Sequence, residues 1–310
     1  MNETKGFLTV ATGRDEYYRL AHNLLRSYRH FCEAPLPFAI LCDRENEWTA
    51  DFDKVVLFPG GASNSYLDKL RLAELLPYDR NLFIDSDCLA FGDLNRLFDY
   101  FDEADDFSCF GRVLPLDDTT GWFEYKDLGA LQPQVSYILG LHGGIYFLRR
   151  TELCRQVLRT AQELVPGYAK YRFKGKFTNP GDEPLVALAM ALKGCRTVPF
   201  GYEAICCYWE YLDRMTIDIS QGIARVDRGL QKDREPVSYP VTLVHWGTRY
   251  TREPEYQMQT ALLSLLEAGR DDPGQVRRCK AVYRRKIAAR KRNAFFHRVR
   301  SKVKRVFRKA

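Results

Sequence analysis

Short apolar runs alternate with helix-like segments along most of this chain, and this alternation constrains the fold more than any other feature. Strands are predicted at 6–12, 38–42, 54–58, 82–84, 144–148 and 242–245. Helices are predicted at 15–31, 67–76, 93–101, 151–164, 183–192 and 255–267. Such alternation favours an α/β fold whose mostly parallel central sheet is flanked by helices. The segments 112–140 and 202–240 show no clear period and are expected to form loops or excursions from the sheet.

The first helix has the clearest apolar face, because apolar residues recur at steps of four and three: Tyr17, Ala21, Leu24, Tyr28 and Phe31. Asp15 is expected to cap its N-terminus, and Thr151 that of the helix at 151–164.

Composition narrows the class of protein. Hydrophobic residues make up 45% of the 310 residues, which is enough for a sizeable core. No stretch approaches the roughly 18 unbroken apolar residues of a spanning helix, and the N-terminus shows no basic-then-apolar leader. The nine cysteines are scattered without a C-x-x-C pair, so we expect free thiols in a reducing, cytoplasmic compartment.

Charge is distributed unevenly between the body and the C-terminus. Residues 277–310 contain 16 Lys or Arg and no Asp or Glu. Subtracting these from the 47 basic residues of the chain leaves 31 basic against 40 acidic residues in 1–276, a net charge of −9. The sequence DDPG at 271–274 reads as a breaker. We therefore expect a domain over 1–270 and a basic tail over 271–310.

An acidic pair follows one of the predicted strands. Asp85 and Asp87 flank Ser86 directly after the apolar run 82–84. In open α/β sheets the ligand crevice lies at the carboxyl ends of the strands. Two carboxylates there can share a hard divalent ion, Mn²⁺ or Mg²⁺, that bridges to a diphosphate. Spacing alone leaves open a solvated acidic turn.

The motifs around this pair occur in a family's order. YLDKLRLAELLP at 66–77 precedes the strand and DSD, and GDLNRLFDY follows at 92–100. VATGRDEYY lies upstream at 10–18, and LHGGIY, GDE and LVHWG lie downstream at 141–146, 181–183 and 243–247. This order resembles family-eight glycosyltransferases, which include glycogenin and bacterial lipooligosaccharide galactosyltransferases. The resemblance implies a GT-A fold and Mn²⁺-dependent, retaining sugar transfer from a nucleotide diphosphate donor.

The resemblance also implies a role for individual residues. It makes Asp85, Asp87 and His245 the metal ligands, and Asp182 and Glu183 the catalytic residues. The residues that it places around the donor are Thr12, Tyr17, Lys69, Ser86, His142, Gly247 and Arg249.

Several of these roles have a simpler alternative. In the simpler alternative, His245 is a hydrogen-bonded histidine at the end of a buried strand. Lys69 would then lie on a solvent-exposed helix face. Tyr17 is expected to stack on the base of the nucleotide donor, but it also belongs to the apolar stripe of its helix. Asp182 and Glu183 are otherwise an acidic pair favoured by a helix N-terminus.

The chain departs from the family at three positions. Glu183 stands where the family often has Gln, and a carboxylate there could stabilise the cationic sugar ring or attack it. His142 stands where Asn is usual. The family has two residues between the histidine and the glycine, with a lysine three further on, whereas this chain has Trp246 alone and then Arg249.

Apolar residues of the tail recur at steps of three and four among the basic ones: Phe296, Val299, Val303, Val306 and Phe307. This pattern predicts an amphipathic helix on an anionic membrane surface. A nucleic-acid-binding arm and a solvated tail are the alternatives, and the acidic body disfavours broad nucleic-acid binding.

The sequence therefore predicts a peripheral, inner-face glycosyltransferase that uses a UDP-sugar donor and a glycan or lipid-linked acceptor. One rival is a sugar-1-phosphate nucleotidyltransferase, but its G-x-G-T-R loop is absent. The other is a nucleic-acid-binding protein that uses the basic tail.

Overall fold

The computed structural model describes residues 3–63, 66–101, 106–173, 180–212, 214–227 and 238–307, with side chains in the last helix up to Arg290 and at Arg292. Its strands are β1 (Lys5–Ala11), β2 (Phe38–Cys42), β3 (Lys54–Leu57), β4 (Arg80–Ile84), β5 (Cys88–Ala90), β6 (Phe107–Leu114), β7 (Ile138–Arg149), β8 (Val198–Pro199), β9 (Ile205–Cys207), β10 (Met215–Asp218), β11 (Ile223–Val226), β12 (Tyr239–Pro240) and β13 (Leu243–His245). Its α-helices are α1 (Asp15–Phe31), α2 (Glu152–Leu164), α3 (Asp182–Leu192), α4 (Pro254–Glu267) and α5 (Pro273–Phe307).

A seven-stranded sheet in the order β3-β2-β1-β4-β7-β6-β8 forms the centre of the fold. The pairs β1–β2, β2–β3, β1–β4 and β6–β8 are parallel, whereas β7 runs antiparallel to both β4 and β6. The predicted α/β fold with a mostly parallel sheet is confirmed.

Successive residues of these strands point to opposite faces of the sheet, and both sets are apolar. Helices therefore cover both faces. Phe7 of β1 packs in the core beneath α1, and the next residue, Leu8, packs in the core beneath α2 and α3. The strand β2 divides its buried residues in the same way, with Ile40 beneath α1 and Leu41 on the opposite face.

The two predicted helix caps differ in outcome. Thr151 caps α2, since its hydroxyl accepts a hydrogen bond from the Cys154 N–H at 3.3 Å. Asp15 does not cap α1: it is the first helical residue, and its carboxylate accepts from Arg44 at 2.5 Å instead. A guanidinium within reach offers a charged partner that the sequence pattern did not reveal.

Several segments differ from the sequence-based prediction. The predicted helices at 67–76 and 93–101 are 3₁₀ segments, Tyr66–Glu74 and Leu94–Tyr100. The segments without a clear period contain the last residues of β6, the first residues of β7 and the short strands β9 to β12. These strands are too short, or too irregular at the Cys109/Gly111 register shift, to give a clear period.

A small three-stranded sheet has the order β5-β13-β9, and its β5–β13 pair is antiparallel. In the β5–β13 pair, His245 lies opposite Cys88 and Leu243 lies opposite Ala90. This pairing brings the predicted late strand beside the residues that follow Asp87.

The backbone divides into two compact units, one of residues 1–206 with 241–245 and one of 207–240 with 246–310. The second unit contains the sheet β10-β11-β12 and the helices α4 and α5. Within it, Arg290 of α5 pairs with Glu255 and, at 3.1 Å, with Glu253, and Lys280 pairs with Asp218. The first part of α5 is therefore packed against this unit.

In the described part of the chain, no helix is long and apolar enough to cross a membrane.

Candidate active site

The candidate site begins where the parallel strands of the first unit end. Thr12 follows β1, Asp43 follows β2 and Asp85 follows β4, so all three lie at the same edge of the sheet. The Asp85 N–H donates to the Gly144 carbonyl of β7 at 3.0 Å, which continues the β4–β7 pairing past the end of β4. This hydrogen bond fixes the backbone from which the acidic pair projects.

Lys69 joins the acidic pair to the start of α3. Its ammonium Nζ lies 2.8 Å from Asp85 Oδ1 and 3.1 Å from Asp182 Oδ2. Burial alone would lower the pKa of Lys69, but Asp182 and Asp85 outweigh burial and raise it. Lys69 is thus held as a cation between two carboxylates, and the alternative of a solvated helix face is wrong, because its side chain is only 13% exposed.

His245 meets the acidic pair from the small sheet. Its Nε2 lies 3.0 Å from Asp87 Oδ1 and 3.9 Å from Asp85 Oδ2. Burial would lower the pKa of His245, but the carboxylates of Asp87 and Asp85 outweigh it and raise the pKa. The structure therefore brings together all three side chains for which a metal-binding role was expected.

These residues fit a divalent metal ion. Carboxylate oxygens and an imidazole nitrogen converge there, which is a suitable donor set for Mn²⁺. The pKa of Asp85 is raised, chiefly by burial. Four carboxylates, those of Asp85, Asp87, Asp182 and Glu183, lie in this region of low exposure around Lys69, and such a concentration of negative charge favours a bound cation.

Asp182 and Glu183 open α3, and both side chains point towards the site. The Tyr146 hydroxyl donates to Asp182 Oδ2 at 3.0 Å, and the Gly143 N–H donates to Glu183 Oε1 at 2.6 Å. Both also lie in the first turn of α3, after the N-cap residue Gly181, where the helix N-terminus favours a carboxylate. Burial, and next the charge of Asp182, raise the pKa of Glu183 to about 7.

His142 lies against the expected metal ligand. Its Nε2 is 3.3 Å from His245 Nδ1, and its Nδ1 accepts from the Gly144 N–H at 3.1 Å. Burial lowers the pKa of His142 to about 3, and His245 and Lys69 act in the same direction. His142 is therefore neutral. It contacts the imidazole of His245, and this contact is independent of the expected role of His142 in sugar binding.

The other residues expected to bind the nucleotide-sugar donor belong to both units. The Thr12 hydroxyl donates to Asp68 at 3.2 Å, Tyr17 packs partly against the core beneath α1, and Ser86 is half-buried. Gly247 and Arg249 lie in the second unit. Gly247 has φ +69° beneath the Trp209 ring, and Arg249 lies over Tyr250.

Three features of the site were not predicted from the sequence. One is the ion pair between Lys69 and Asp182, which joins distant segments. The second is Asp43, whose carboxylate accepts from the Gly13 N–H at 3.2 Å and from the Tyr18 hydroxyl. The third is Tyr146, which holds Asp182. The position of Asp43 directly after the apolar run at 38–42 was an available signal, like that of Asp85.

No protein-family model matches the sequence, and no curated protein matches it. Solved structures do match the fold. The galactosyltransferase LgtC, in complex with donor and acceptor sugar analogues, is 15% identical with a TM-score of 0.51, over 84% of this chain and 95% of that one. An active-site mutant of LgtC with glutamate in place of glutamine is 14% identical with a TM-score of 0.50, over 78% and 87%.

These comparisons define the class of fold. The chain has the GT-A architecture of glycosyltransferases, as the resemblance of its motifs implied. At these identities the likeness is one of fold.

We predict that Lys69→Met destabilises the chain strongly, because Asp85 and Asp182 would lose their shared cation. Removing one partner of a buried ion pair costs about 3–5 kcal/mol. Urea unfolding followed by circular dichroism measures the loss in free energy of unfolding. The matched control is Lys126→Met. Lys126 also pairs with a carboxylate, that of Glu124, but its side chain is 74% exposed, so its loss should change the free energy of unfolding little. Equal stability of the two variants would contradict the structural role of Lys69.

Proposed function

We propose that this chain is a metal-dependent, retaining glycosyltransferase that moves a hexose from a UDP-linked donor to a glycan or glycolipid acceptor. The observation that carries the proposal is the convergence of four carboxylates and His245 at the carboxyl edge of a GT-A sheet. A cation site would stabilise a departing diphosphate, and nearby carboxylates would stabilise a sugar ring that develops positive charge.

Donor binding is assigned to the acidic pair. Asp85, Asp87 and His245 would hold Mn²⁺, or Mg²⁺ in its place, and the ion when bound would neutralise the diphosphate as it leaves. Lys69 keeps the Asp85 carboxylate in place through its 2.8 Å contact. Thr12, Tyr17 and Ser86 are assigned to the nucleoside and phosphates, and Gly247 and Arg249 to the diphosphate.

Catalysis is assigned to the first turn of α3. Asp182, held by Lys69 and Tyr146, would bind sugar hydroxyls and position the ring. Glu183, held by the Gly143 N–H, would place a carboxylate beneath the ring as positive charge develops at the anomeric carbon. The LgtC mutant with an active-site glutamate in place of glutamine has this same residue type by design, whereas here it is native. His142 is assigned to the sugar side of the site.

Attachment to a membrane is assigned to the C-terminal helix. We propose that 1–270 carries the activity and that the basic segment 271–310 binds the anionic inner face of the membrane from the cytoplasm. Lys280 and Arg290 are already engaged with Asp218, Glu253 and Glu255, so the lipid-binding portion begins beyond them. The apolar residues from Phe296 to Phe307 have side chains outside the described ones, and their role rests on the sequence pattern.

The direct test of the proposed activity is a panel of nucleotide sugars incubated with the full chain and Mn²⁺. Release of a nucleotide diphosphate from one donor, absent when the metal is chelated, is the expected result. Failure of every donor to release diphosphate would overturn the proposed activity.

We predict that Asp87→Ala abolishes Mn²⁺-dependent binding of UDP while the fold is preserved, since a metal ligand is lost. Isothermal titration calorimetry with and without Mn²⁺ measures the effect. Asp51→Ala is the matched control, because Asp51 belongs to a second D-x-D sequence, Asp51-Phe52-Asp53, and is an exposed partner of His22. Unchanged metal-dependent affinity in Asp87→Ala would place the metal elsewhere.

We predict that Glu183→Gln lowers kcat by about 100-fold or more and changes the donor KM little. The amide oxygen can still accept from Gly143, whereas the negative charge that stabilises the transition state is lost. Steady-state kinetics with Glu163→Gln, an exposed residue of α2, as control separates the two parameters. A KM effect as large as the kcat effect would make Glu183 a contact of the ground-state donor.

We predict that the full chain pellets with anionic vesicles, and pellets less at high salt, because exposed charges are screened beyond about 8 Å at physiological ionic strength. Removal of 293–310 should abolish pelleting and leave donor hydrolysis intact. This truncation keeps Lys280 and Arg290 in place, which a cut at residue 277 would not.

The apolar face is tested separately from the charge. Changing Val299, Val303 and Phe307 together to Ser leaves the net charge unaltered and should weaken vesicle binding, because the apolar face anchors such a helix. Vesicle binding as strong as that of the unmodified chain would reduce the tail to an electrostatic arm.

A further inference from the structure

A cysteine lies beside the expected metal ligands, where neither the sequence pattern nor the proposed mechanism uses it. Cys88 is fully buried and lies directly opposite His245 in the antiparallel β5–β13 pair. Opposed residues of such a pair project to the same face of the sheet with Cβ atoms about 4.5–5.5 Å apart. The Cys88 thiol therefore lies on the side of the sheet from which the His245 imidazole extends.

The ligand atoms of Asp87, Cys88 and His245 all lie within 4.8 Å of one another. In a tetrahedral site, bonds of about 2.3 Å to sulfur and 2.0–2.2 Å to nitrogen or oxygen set the ligand atoms about 3.3–3.7 Å apart. Side-chain rotations that shorten the longest separation by at most about 1 Å would bring all three onto a common ion. The Asp87 carboxylate and the His245 imidazole already meet at 3.0 Å.

The chemistry of this set differs from that of the acidic pair. Carboxylates suit Mn²⁺ and Mg²⁺, whereas a thiolate selects softer ions, and imidazole suits Zn²⁺. At a given site Zn²⁺ also binds more tightly than Mn²⁺. Three protein ligands with a fourth position left open are a common arrangement for zinc, and Asp85 Oδ2, 3.9 Å from His245 Nε2, is close to that position.

We propose that Asp87, Cys88 and His245 form a site for Zn²⁺ or Co²⁺ that shares two ligands with the Mn²⁺ site, so that zinc displaces manganese and inhibits transfer. This inference rests on the proposed function for its inhibitory consequence. On binding, a metal–sulfur bond forms as the Cys88 thiol loses its proton to solvent, and no electron is transferred. The chain would then respond to the ratio of zinc to manganese.

The test uses Co²⁺ as a spectroscopic probe on the full chain. The wild type should show a near-ultraviolet thiolate-to-cobalt charge-transfer band that is absent in Cys88→Ser. Cys42→Ser is the matched control, because Cys42 is equally buried and lies in the same apolar core. By competition with a chelating dye, Cys88→Ser should weaken Zn²⁺ binding by at least about tenfold, since even loss of an outer-shell partner costs 10–100-fold. Its Mn²⁺ affinity should be unchanged.

The outcomes separate this inference from the proposed function. A charge-transfer band and a Zn²⁺ affinity that persist in Cys88→Ser would overturn the role of Cys88. Mn²⁺ binding and transfer that survive with no sulfur-bound zinc would overturn this inference alone. Failure of the wild type to bind Mn²⁺ would overturn the metal dependence of the proposed function.

A second measurement needs no variant at Cys88 and therefore does not depend on whether that variant folds. X-ray absorption of the zinc-loaded wild type and of Cys42→Ser should show one sulfur neighbour at about 2.3 Å. A first shell made only of nitrogen and oxygen would overturn the proposal.

Discussion

The contact of one lysine with two carboxylates is the interaction on which the rest of the site depends. Lys69 lies 2.8 Å from Asp85 and 3.1 Å from Asp182, and so ties the end of β4 to the start of α3. Buried carboxylates without a partner would be costly. The four acidic side chains outnumber the two basic ones, Lys69 and His245, that lie among them, and this surplus of acidic groups would suit a bound cation.

The architecture supplies these groups from places that are far apart in the sequence. The parallel strands end at one edge, so Thr12, Asp43 and Asp85 arrive there together. The antiparallel strand β7 adds the Gly143 N–H, which holds Glu183. The pairing of β13 with β5 adds His245. Each group is placed by backbone hydrogen bonds of a strand or by the first turn of a helix, which is the rigid support that a catalytic arrangement requires.

The sequence predicted what depends on local pattern. Asp85 and Asp87 were found because a buried strand ends directly before them, and Asp182 and Glu183 because GDE at 181–183 falls within the order of motifs that resembles family-eight glycosyltransferases. The partnership of Lys69 with Asp182 and the register that sets Cys88 against His245 depend on long-range packing and leave no local trace. The irregular strands β6 and β9 to β12 were missed for lack of period. Asp15 was wrongly made a cap because Arg44, distant in sequence, competes for its carboxylate.

The surroundings of Glu183 favour its pairing with a positive charge that would develop only in the transition state of the proposed reaction. Burial and the neighbouring Asp182 raise its pKa to about 7, so the carboxylate is poorly stabilised in the resting protein. A neutral sugar in the ground state offers it little compensation. In the proposed reaction, the oxocarbenium-like ring of the transition state would offer it an opposite charge. An interaction that strengthens only as the barrier is crossed accelerates a reaction without tightening ground-state binding, and in its proposed role Glu183 would provide that interaction more strongly than an amide.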